Sequence, residues 1–414
     1  MNILFLSSYF HPEQAASFYL WENLREAFAD RGYNMELYAP TPTRGITNET
    51  REEYKRKKYE EFYNGRLKVK RFSMIREGKS PLQRAFRYLL CNIRHCYSGC
   101  NAKTVDIIFV GSTPPTQGWI ATKVKRKLKV PFVYCLQDIF PDSLVGTGIT
   151  KKKSLLWKIG RKIEDDIYKN ADKIIVISED FKKNIIEKGV PESKIEVIYN
   201  WVDEKAVVPI SRNENKLFDE LGLSRDLFYI VYAGNLGHAQ NIDIIIDAAN
   251  ELSTREDIRF VIFGSGGSEK ELKGKAAKLN LKNLTFFPIQ PSERISEVYS
   301  LGNAAIVTCK PGLGKSAMPS KTWSIMSSGT AILANFDEET ELQKIIETQK
   351  IGLFSKAGDV EKFSDAIVNL YENSERCLEF GKNGRNFILK NLTKEVGTSK
   401  YIDVINNLLN NRTK

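Results

Sequence analysis

The sequence predicts an α/β protein built from two doubly wound parallel sheets that face each other across a cleft, and three observations lead there. The strand-forming run Phe228 to Ala233 stops at Gly234-Asn235-Leu236-Gly237, after which Ile242, Ile245, Ile246, Ala249 and Leu252 recur at helical spacing. The chain begins in the same way, with Asn2 to Ser8 reading as a strand and Leu20, Leu24, Ala27 and Phe28 falling on one helical face. Finally, 414 residues suffice for two cores and exceed one, because single cores stop growing near about 250–300 residues. Two Rossmann-like starts therefore divide the chain into two similar lobes.

The first lobe is expected over residues 1–203, with strands at Ile3 to Ser7, Asn34 to Tyr38, Lys68 to Phe72, Ile107 to Val110, Phe132 to Leu136 and Lys173 to Ile177. Helical patterns separate most of them, and that alternation argues for a parallel sheet covered on both faces. Between the second and third strands, the densely charged Tyr54 to Tyr63 fits either a mobile acceptor loop or a solvated helix. The second lobe, residues 204–395, repeats the pattern with strands at Phe228 to Ala233, Arg259 to Phe263, Leu284 to Phe287, Ala304 to Thr308 and Thr330 to Ala334. Val197 to Asp203 and the irregular stretch from Pro209 to Asn215 form the expected hinge. In the final segment, 396–414, the amphipathic run Val396 to Leu409 is expected as a helix that packs back across that hinge.

Composition narrows the class further. Hydrophobic residues make up 42% and charged residues 27%, as in ordinary globular proteins. No apolar run approaches the roughly 18–20 residues that cross a bilayer, and the N-terminus enters a strand without a basic n-region, so a cytosolic protein is expected. The six cysteines form no CxxC pair, consistent with a reducing compartment. Cys91, His95, Cys96 and Cys100 cluster, yet on a helix they point to several faces, so no metal site is expected. The net charge of +11 sits wholly in residues 1–203, which hold 35 Lys plus Arg against 24 Asp plus Glu. Whatever acidic surface the protein meets should meet that lobe.

In doubly wound sheets ligands bind beyond the carboxyl ends of the strands, so chemistry is sought there. At Gly234 to Gly237 glycine lets a phosphate approach the backbone at a helix N-terminus; it equally permits an ordinary tight turn. Phe263-Gly264-Ser265-Gly266-Gly267 repeats the arrangement one strand later. Pro319-Ser320-Lys321 opens a helix and places a lysine in its first turn, where a cation opposes the dipole unless an anion sits beside it. Pro311 to Ser316 matches a phosphate loop in letters only, since the GxxxxGK[ST] spacing is absent. In the first lobe Asp138, after the strand Phe132 to Leu136, is placed to hold a sugar hydroxyl or take a proton, or to cap the next helix. His11 follows the first strand, where it either orients an acceptor or is simply structural. Leu82 to Arg94 combines an apolar stripe with a basic face, which suits an anionic membrane surface or a stripe buried in the lobe with solvated arginines.

Six segments in this order resemble glycosyltransferase family 4: His11 to Ser17, Leu136 to Val145, Ile177-Ser178-Glu179, Asn200-Trp201-Val202-Asp203, Tyr232 to Gly237, and Pro319-Ser320-Lys321. Within that family the chain is similar to the bacterial enzymes of O-antigen, colanic-acid and capsular polysaccharides, the N-acetyl-fucosamine transferases among them. The resemblance implies a GT-B fold, a nucleotide sugar held mainly by the second lobe, and transfer with retention of configuration; UDP is the expected nucleotide. It implies no cofactor and no essential metal. Asp138 and Lys321 are its expected catalytic residues; Gly234, Asn235, Gly237, Gln240, Gly264, Ser320 and Glu341 are expected on the donor, and His11 and Ala16 on the acceptor side. The chain departs from the family at Asn235 and Gln240, where many members carry Arg and Lys. It also departs at Ser316 and Ser324, where the family's Glu-x7-Glu pair would fall, and at Gln137, where many members have His. Glu341 is then the expected ribose carboxylate.

The resulting expectation is a cytoplasmic, membrane-peripheral glycosyltransferase that moves a sugar onto a polyprenyl-diphosphate-linked glycan. The alternatives are a sugar-nucleotide 2-epimerase of the same fold, which needs no lipid acceptor, and a non-catalytic homologue. No aromatic-basic motif points to nucleic acid.

Overall fold

The computed structural model describes residues 1–13, 18–78, 80–146, 148 and 150–411. The chain forms two compact units, one comprising Met1–Tyr199 together with Gly397 onward, the other Asn200–Val396.

The first unit runs β1 (Asn2–Leu6), α1 (Phe18–Asp30), β2 (Asn34–Pro40), α2 (Asn48–Arg56), β3 (Tyr59–Phe62), β4 (Leu67–Phe72), α3 (Pro81–Cys100), β5 (Ile107–Gly111) and α4 (Thr116–Leu128). It continues with β6 (Phe132–Leu136), α5 (Asp142–Gly146), α6 (Leu155–Asn170), β7 (Lys173–Val176), α7 (Glu179–Glu187) and β8 (Ile195–Val197). The strands form one sheet in the order β3-β4-β2-β1-β5-β6-β7-β8, parallel except for β3. Central strands such as Phe132–Leu136 are buried at every residue, which is why they read as unbroken apolar runs. The order reverses between β1 and β5, so a crevice opens beyond the ends of those two strands.

The charged stretch Tyr54 to Tyr63 is neither a mobile loop nor a single solvated helix. It ends α2, with Tyr54 buried, and then forms β3, which pairs antiparallel with β4 through Tyr59↔Lys70 to Phe62↔Leu67. A short, charged edge strand resembles a solvated segment in sequence because its outer edge has no partner to bury it. Helices α3, α4 and α6 form one layer, α3 on α4 and α4 on α6. Small residues set that spacing: a Cβ on Gly99 would lie 2.8 Å from Val124, and one on Gly118 2.8 Å from Ile167.

The second unit holds α8 (Leu217–Glu220), β9 (Phe228–Asn235), α9 (Asp243–Glu251), β10 (Ile258–Ser265), α10 (Glu269–Lys278), β11 (Leu284–Phe287), α11 (Ile295–Ser300) and β12 (Ala304–Thr308). After these come α12 (Lys321–Ser327), β13 (Ala331–Phe336), α13 (Glu341–Gln349), β14 (Gly352–Lys356), α14 (Val360–Glu372) and α15 (Ser374–Asn391). Its sheet is wholly parallel in the order β11-β10-β9-β12-β13-β14, reversing between β9 and β12. Ile230, Tyr232, Ile245, Phe260, Ile262 and Leu333 sit at the centre of its core.

The irregular stretch expected as a hinge is strapped to this unit. Val208 N–H and Ile210 N–H donate to the hydroxyls of Ser296 and Ser300 at 3.0 and 3.1 Å, and Asn215 donates to Glu297 O at 2.7 Å. The last helix, α16 (Lys394–Asn410), starts in the second unit and ends in the first. There Tyr401 packs on Phe109 at 6.0 Å between ring centroids, and Asn406 accepts from Tyr33 Oη at 2.9 Å.

Candidate active site

The reversal point of the second sheet carries most of the residues singled out from sequence. β9 and β10 pair in register to their last residues, so Gly264 lies opposite Gly234 and Ser265 opposite Asn235. Their spacing leaves no room for side chains: a Cβ on Gly264 would stand 2.5 Å from Gly234 O, and one on Gly237 2.5 Å from Asn235 Nδ2. Gly234 itself has φ +143°, where a side chain is strained. The turn is stapled by Leu236 N–H on Ser265 O at 2.9 Å and by Tyr232 Oη donating to Asn235 O, also at 2.9 Å. Asn235 Nδ2 donates weakly to Gln240 Oε1 at 3.4 Å, so these two residues, which stand where many family members are basic, engage each other.

The turn is not directly a helix N-terminus, as expected from sequence. A 3₁₀ turn, His238–Gln240, and the left-handed Asn241 intervene before α9, whose first residue is the acidic Asp243. The apolar pattern from Ile242 onward holds, but it starts one turn beyond the glycines. Helix-terminal amides therefore do less here, and positive charge must come from a side chain.

Lys321 supplies it. Ser320, exposed, is the N-cap residue of α12, and Lys321 follows as the first helical residue. Its Nζ lies 3.8 Å from the centroid of the Tyr232 ring, and 2.9 Å from where a Cβ on Gly234 would stand. The side chain keeps some solvent contact along its length, while protein closely surrounds the ammonium; loss of hydration lowers its pKa to about 7. Among the described residues no carboxylate pairs with it. Glycine at 234 is what makes the approach possible, and the face of Tyr232 partly offsets the lost hydration. Tyr232 was missed from sequence because it reads as one more core residue; the only signal was an aromatic two residues before the glycine.

A partly exposed carboxylate orders the loop after β12. Asp337 accepts from Gly312 N–H at 2.9 Å and Gly314 N–H at 2.7 Å, and Lys310 N–H donates to Ala239 O at 2.9 Å, tying this loop to the glycine turn. Ser316 ends a 3₁₀ turn, Gly314–Ser316, and Ser324 lies on α12; both are partly buried. Glu341 is buried as the first residue of α13, which packs on α15 and on β14, three strands along the sheet from β9.

In the first unit the reversal point holds a cavity of about 120 Å³, lined by Phe10, Trp21, Arg25, Ser112, His11 and Gln137 among others. His11 is exposed, with Nδ1 3.3 Å from Tyr54 Oη and its carbonyl accepting from Arg71. Ala16 lies outside the described residues. Ser112, buried, accepts from Gln137 N–H at 3.0 Å and Asp138 N–H at 3.2 Å and so fixes the turn after β6. Asp138 faces solvent on one side and protein on the other. Desolvation raises its pKa, opposed by hydrogen bonds from Ser143 and Ile139 N–H, so its carboxylate also serves the start of the next helical turn. Sequence reasoning missed Ser112 and Arg25; the latter is buried with its Nε unpaired and its guanidinium 4.9 Å from the Phe10 ring.

Cys91, His95, Cys96 and Cys100 do not converge. Cys91 Sγ sits 3.6 Å from His95 Nδ1 and 3.7 Å from Ser8 Oγ, and His95 Nε2 lies 3.1 Å from Tyr38 O, with burial lowering the His95 pKa to about 4. Among the described residues no three His, Cys, Asp or Glu side chains are grouped to hold a metal ion.

Comparisons with known proteins bear on the fold and the class of protein. WbjE of Pseudomonas aeruginosa, named as a glycosyltransferase, is 25% identical over 74% of this chain and 76% of its own length. WcaI of Escherichia coli, named for colanic acid biosynthesis, is 27% identical over 51% of this chain and 53% of its own. Among solved structures, sucrose-phosphate synthase of Thermosynechococcus elongatus superposes with a TM-score of 0.77 at 16% identity, covering 98% of both chains. HepE of Anabaena, solved with UDP, gives 0.74 at 14% identity over 98% of this chain and all of its own. The fold is GT-B. Residues 213–387 match the family described as Glycosyl transferases group 1, residues 20–206 match Glycosyltransferase Family 4, and the two matches together make the chain a glycosyltransferase.

Proposed function

We propose that the protein transfers a sugar, with retention of configuration, from a UDP-sugar to a polyprenyl-diphosphate-linked glycan during bacterial surface-polysaccharide synthesis. One observation carries the donor side: a dehydrated lysine, without a carboxylate among the described residues, set against Gly234 at the reversal point of a doubly wound sheet. Breaking the bond to the anomeric carbon adds one negative charge to a nucleoside diphosphate that already carries two charges. Lys321 would offset them, and the close-set backbone at Gly234, Asn235, Gly237 and Gly264 would let the phosphates approach; Gln240 and Ser320 would border the site. HepE, whose structures hold UDP and UDP-glucose, supports a UDP donor. No resident cofactor or metal is required in this scheme, since the lysine does the electrostatic work. Asp138 would take the acceptor proton, His11 would orient the acceptor, and Glu341 would reach the ribose. The names of WbjE and WcaI support polysaccharide synthesis. The α-galactosylglucosyldiacylglycerol synthase of Streptococcus pneumoniae, 29% identical over 44% of this chain and 48% of its own, supports a lipid-borne acceptor.

Calorimetric titration with UDP and GDP, followed by turnover of UDP-sugars with lipid-linked acceptors in the presence of EDTA, tests the reading. Micromolar UDP binding and an EDTA-insensitive product with the donor's anomeric configuration are expected. Absence of binding to either nucleotide would overturn it, and product formed without an acceptor would make the enzyme an epimerase.

A further inference from the structure

Helix α3 is inside out relative to a simple amphipathic reading. Its inward face carries Arg87, Cys91 and His95, all buried and spaced four residues apart. Its outward face carries Phe86, Leu89, Ile93 and Tyr97, which are 56%, 55%, 57% and 71% exposed. The sequence alternative in which the apolar stripe is buried and the arginines are solvated is thus corrected in part: Phe86, Leu89 and Ile93 are outside and Arg87 lies within, 5.2 Å from the Tyr9 ring, while Arg84 and Arg94 are exposed. The start of α6, in the same helix layer, exposes Leu155, Leu156 and Ile159 by 77%, 49% and 51%.

The charge around these side chains is predominantly positive. Neither α3 nor α4 contains Asp or Glu. α4, between the two apolar edges, exposes Lys123, Arg126 and Lys127, with Lys123 Nζ 3.9 Å from the Trp119 ring. Exposed Lys151, Lys152 and Lys153 lead into α6, and exposed Lys158 and Lys162 flank its apolar edge. The acidic residues of α6, Glu164, Asp165 and Asp166, come later, and the first two pair with Arg161. Among the described residues no helix is long and apolar enough to cross a membrane.

We propose that the outer faces of α3, α4 and α6 dock on an anionic lipid bilayer, the exposed apolar side chains entering the boundary of headgroups and acyl chains while the lysines and arginines meet the headgroups. Scattered exposed apolar residues need no partner, but two rows flanked by an excess of cations, with Asp165 and Asp166 paired to Arg161 and Arg126, match an interfacial anchor. A second copy of the chain is the poorer occupant, because it would bring like-charged lysines together. The inference deepens the lipid-linked acceptor proposed above, yet it is carried by this surface alone.

Flotation of the full chain with phosphatidylcholine vesicles, alone or with about one quarter phosphatidylglycerol, tests it, with UDP binding and thermal melting as controls for each variant. At least tenfold stronger partitioning onto the anionic vesicles is expected, weakening with salt. F86E/I93E should reduce it tenfold or more at low salt, and K151E/K152E/K153E should do the same. UDP binding and melting temperature should be unchanged, which separates this surface from the donor site. Equal binding to both vesicles, no binding to either, or a dimer that F86E/I93E converts to monomer would overturn the proposal.

Discussion

The two units reverse their strand order at the same kind of place, and the two crevices are furnished oppositely. In the first, beyond β1 and β5, large side chains fill the space: Phe10 and Trp21, with arginines stacked on rings and Arg71 committed to Glu60 and His11 O. In the second, beyond β9 and β12, the walls are glycine, and the dehydrated Lys321 is left without an acid among the described residues. Shared topology supplies a concave edge in both cases. Side-chain volume and unpaired charge decide what can enter it, which suits a diphosphate in the second unit and a larger, polar-aromatic contact in the first.

The sharpest way to break this contrast is to remove the lysine. Lys321→Ala should lower turnover about 100-fold or more, the scale of one lost transition-state donor, while leaving the fold intact. Lys321→Met should also melt at a higher temperature than the wild type near pH 7, since it removes a charge that the folded state hydrates poorly. Progress curves and calorimetric scans read the two effects. Unchanged turnover would move the diphosphate site away from Gly234.

Next in size is the glycine wall. In Gly264→Ala the new methyl meets Gly234 O at 2.5 Å, so a destabilisation of about 1–3 kcal/mol and loss of UDP binding are expected. Gly267→Ala, two residues beyond the end of β10, has nothing within 4 Å and should stay within about 0.5 kcal/mol of wild type. Denaturant midpoints for the pair distinguish close packing from a general dislike of alanine in this loop.

These sites were legible in sequence to different depths. The end of β9 was clear because a run of strand formers breaks abruptly into glycine, and the position of Lys321 followed from Pro319-Ser320. Its environment was not, because nothing local announces that Tyr232, eighty-nine residues earlier in the chain, lies beneath the ammonium. The charged edge strand β3 was unreadable for the reason that makes it useful: charge protects an edge and mimics solvation. Arg87 misled because a binary pattern counts arginine as outward, whereas the spacing of Arg87, Cys91 and His95 marks them as one face. Asp337 and Ser112 were invisible since their partners are backbone N–H groups, which sequence does not display.

Lys321 also sets a pH dependence at its own crevice. With burial lowering its pKa to about 7, Lys321 loses its proton in the free protein as pH rises through that value, and a diphosphate bound beside it, as proposed, would restore it. Donor affinity should therefore fall by up to about tenfold per pH unit above 7, with one proton taken up on binding. Lys321→Arg, charged throughout, should flatten the profile. The linked stability runs in a definite direction: the unfolded lysine holds its proton to about pH 10.4 and the folded one only to about 7, so stability of the free protein rises with pH between them. Calorimetry in buffers of different ionisation enthalpy checks the proton count.

The smallest expected effect belongs to the first crevice. A Cβ on Gly111, at the end of β5, would stand 2.9 Å from the Trp21 ring, which lines the cavity beside it. An aromatic ring is flat and has two χ angles, so it yields more readily than the backbone carbonyl met by Gly264→Ala. Gly111→Ala should therefore shift Trp21 rather than unfold the unit, raising the acceptor KM several-fold while UDP affinity and kcat at saturating acceptor stay near wild type. A loss of UDP affinity in Gly111→Ala would mean that the two crevices do not divide donor from acceptor as their side chains suggest.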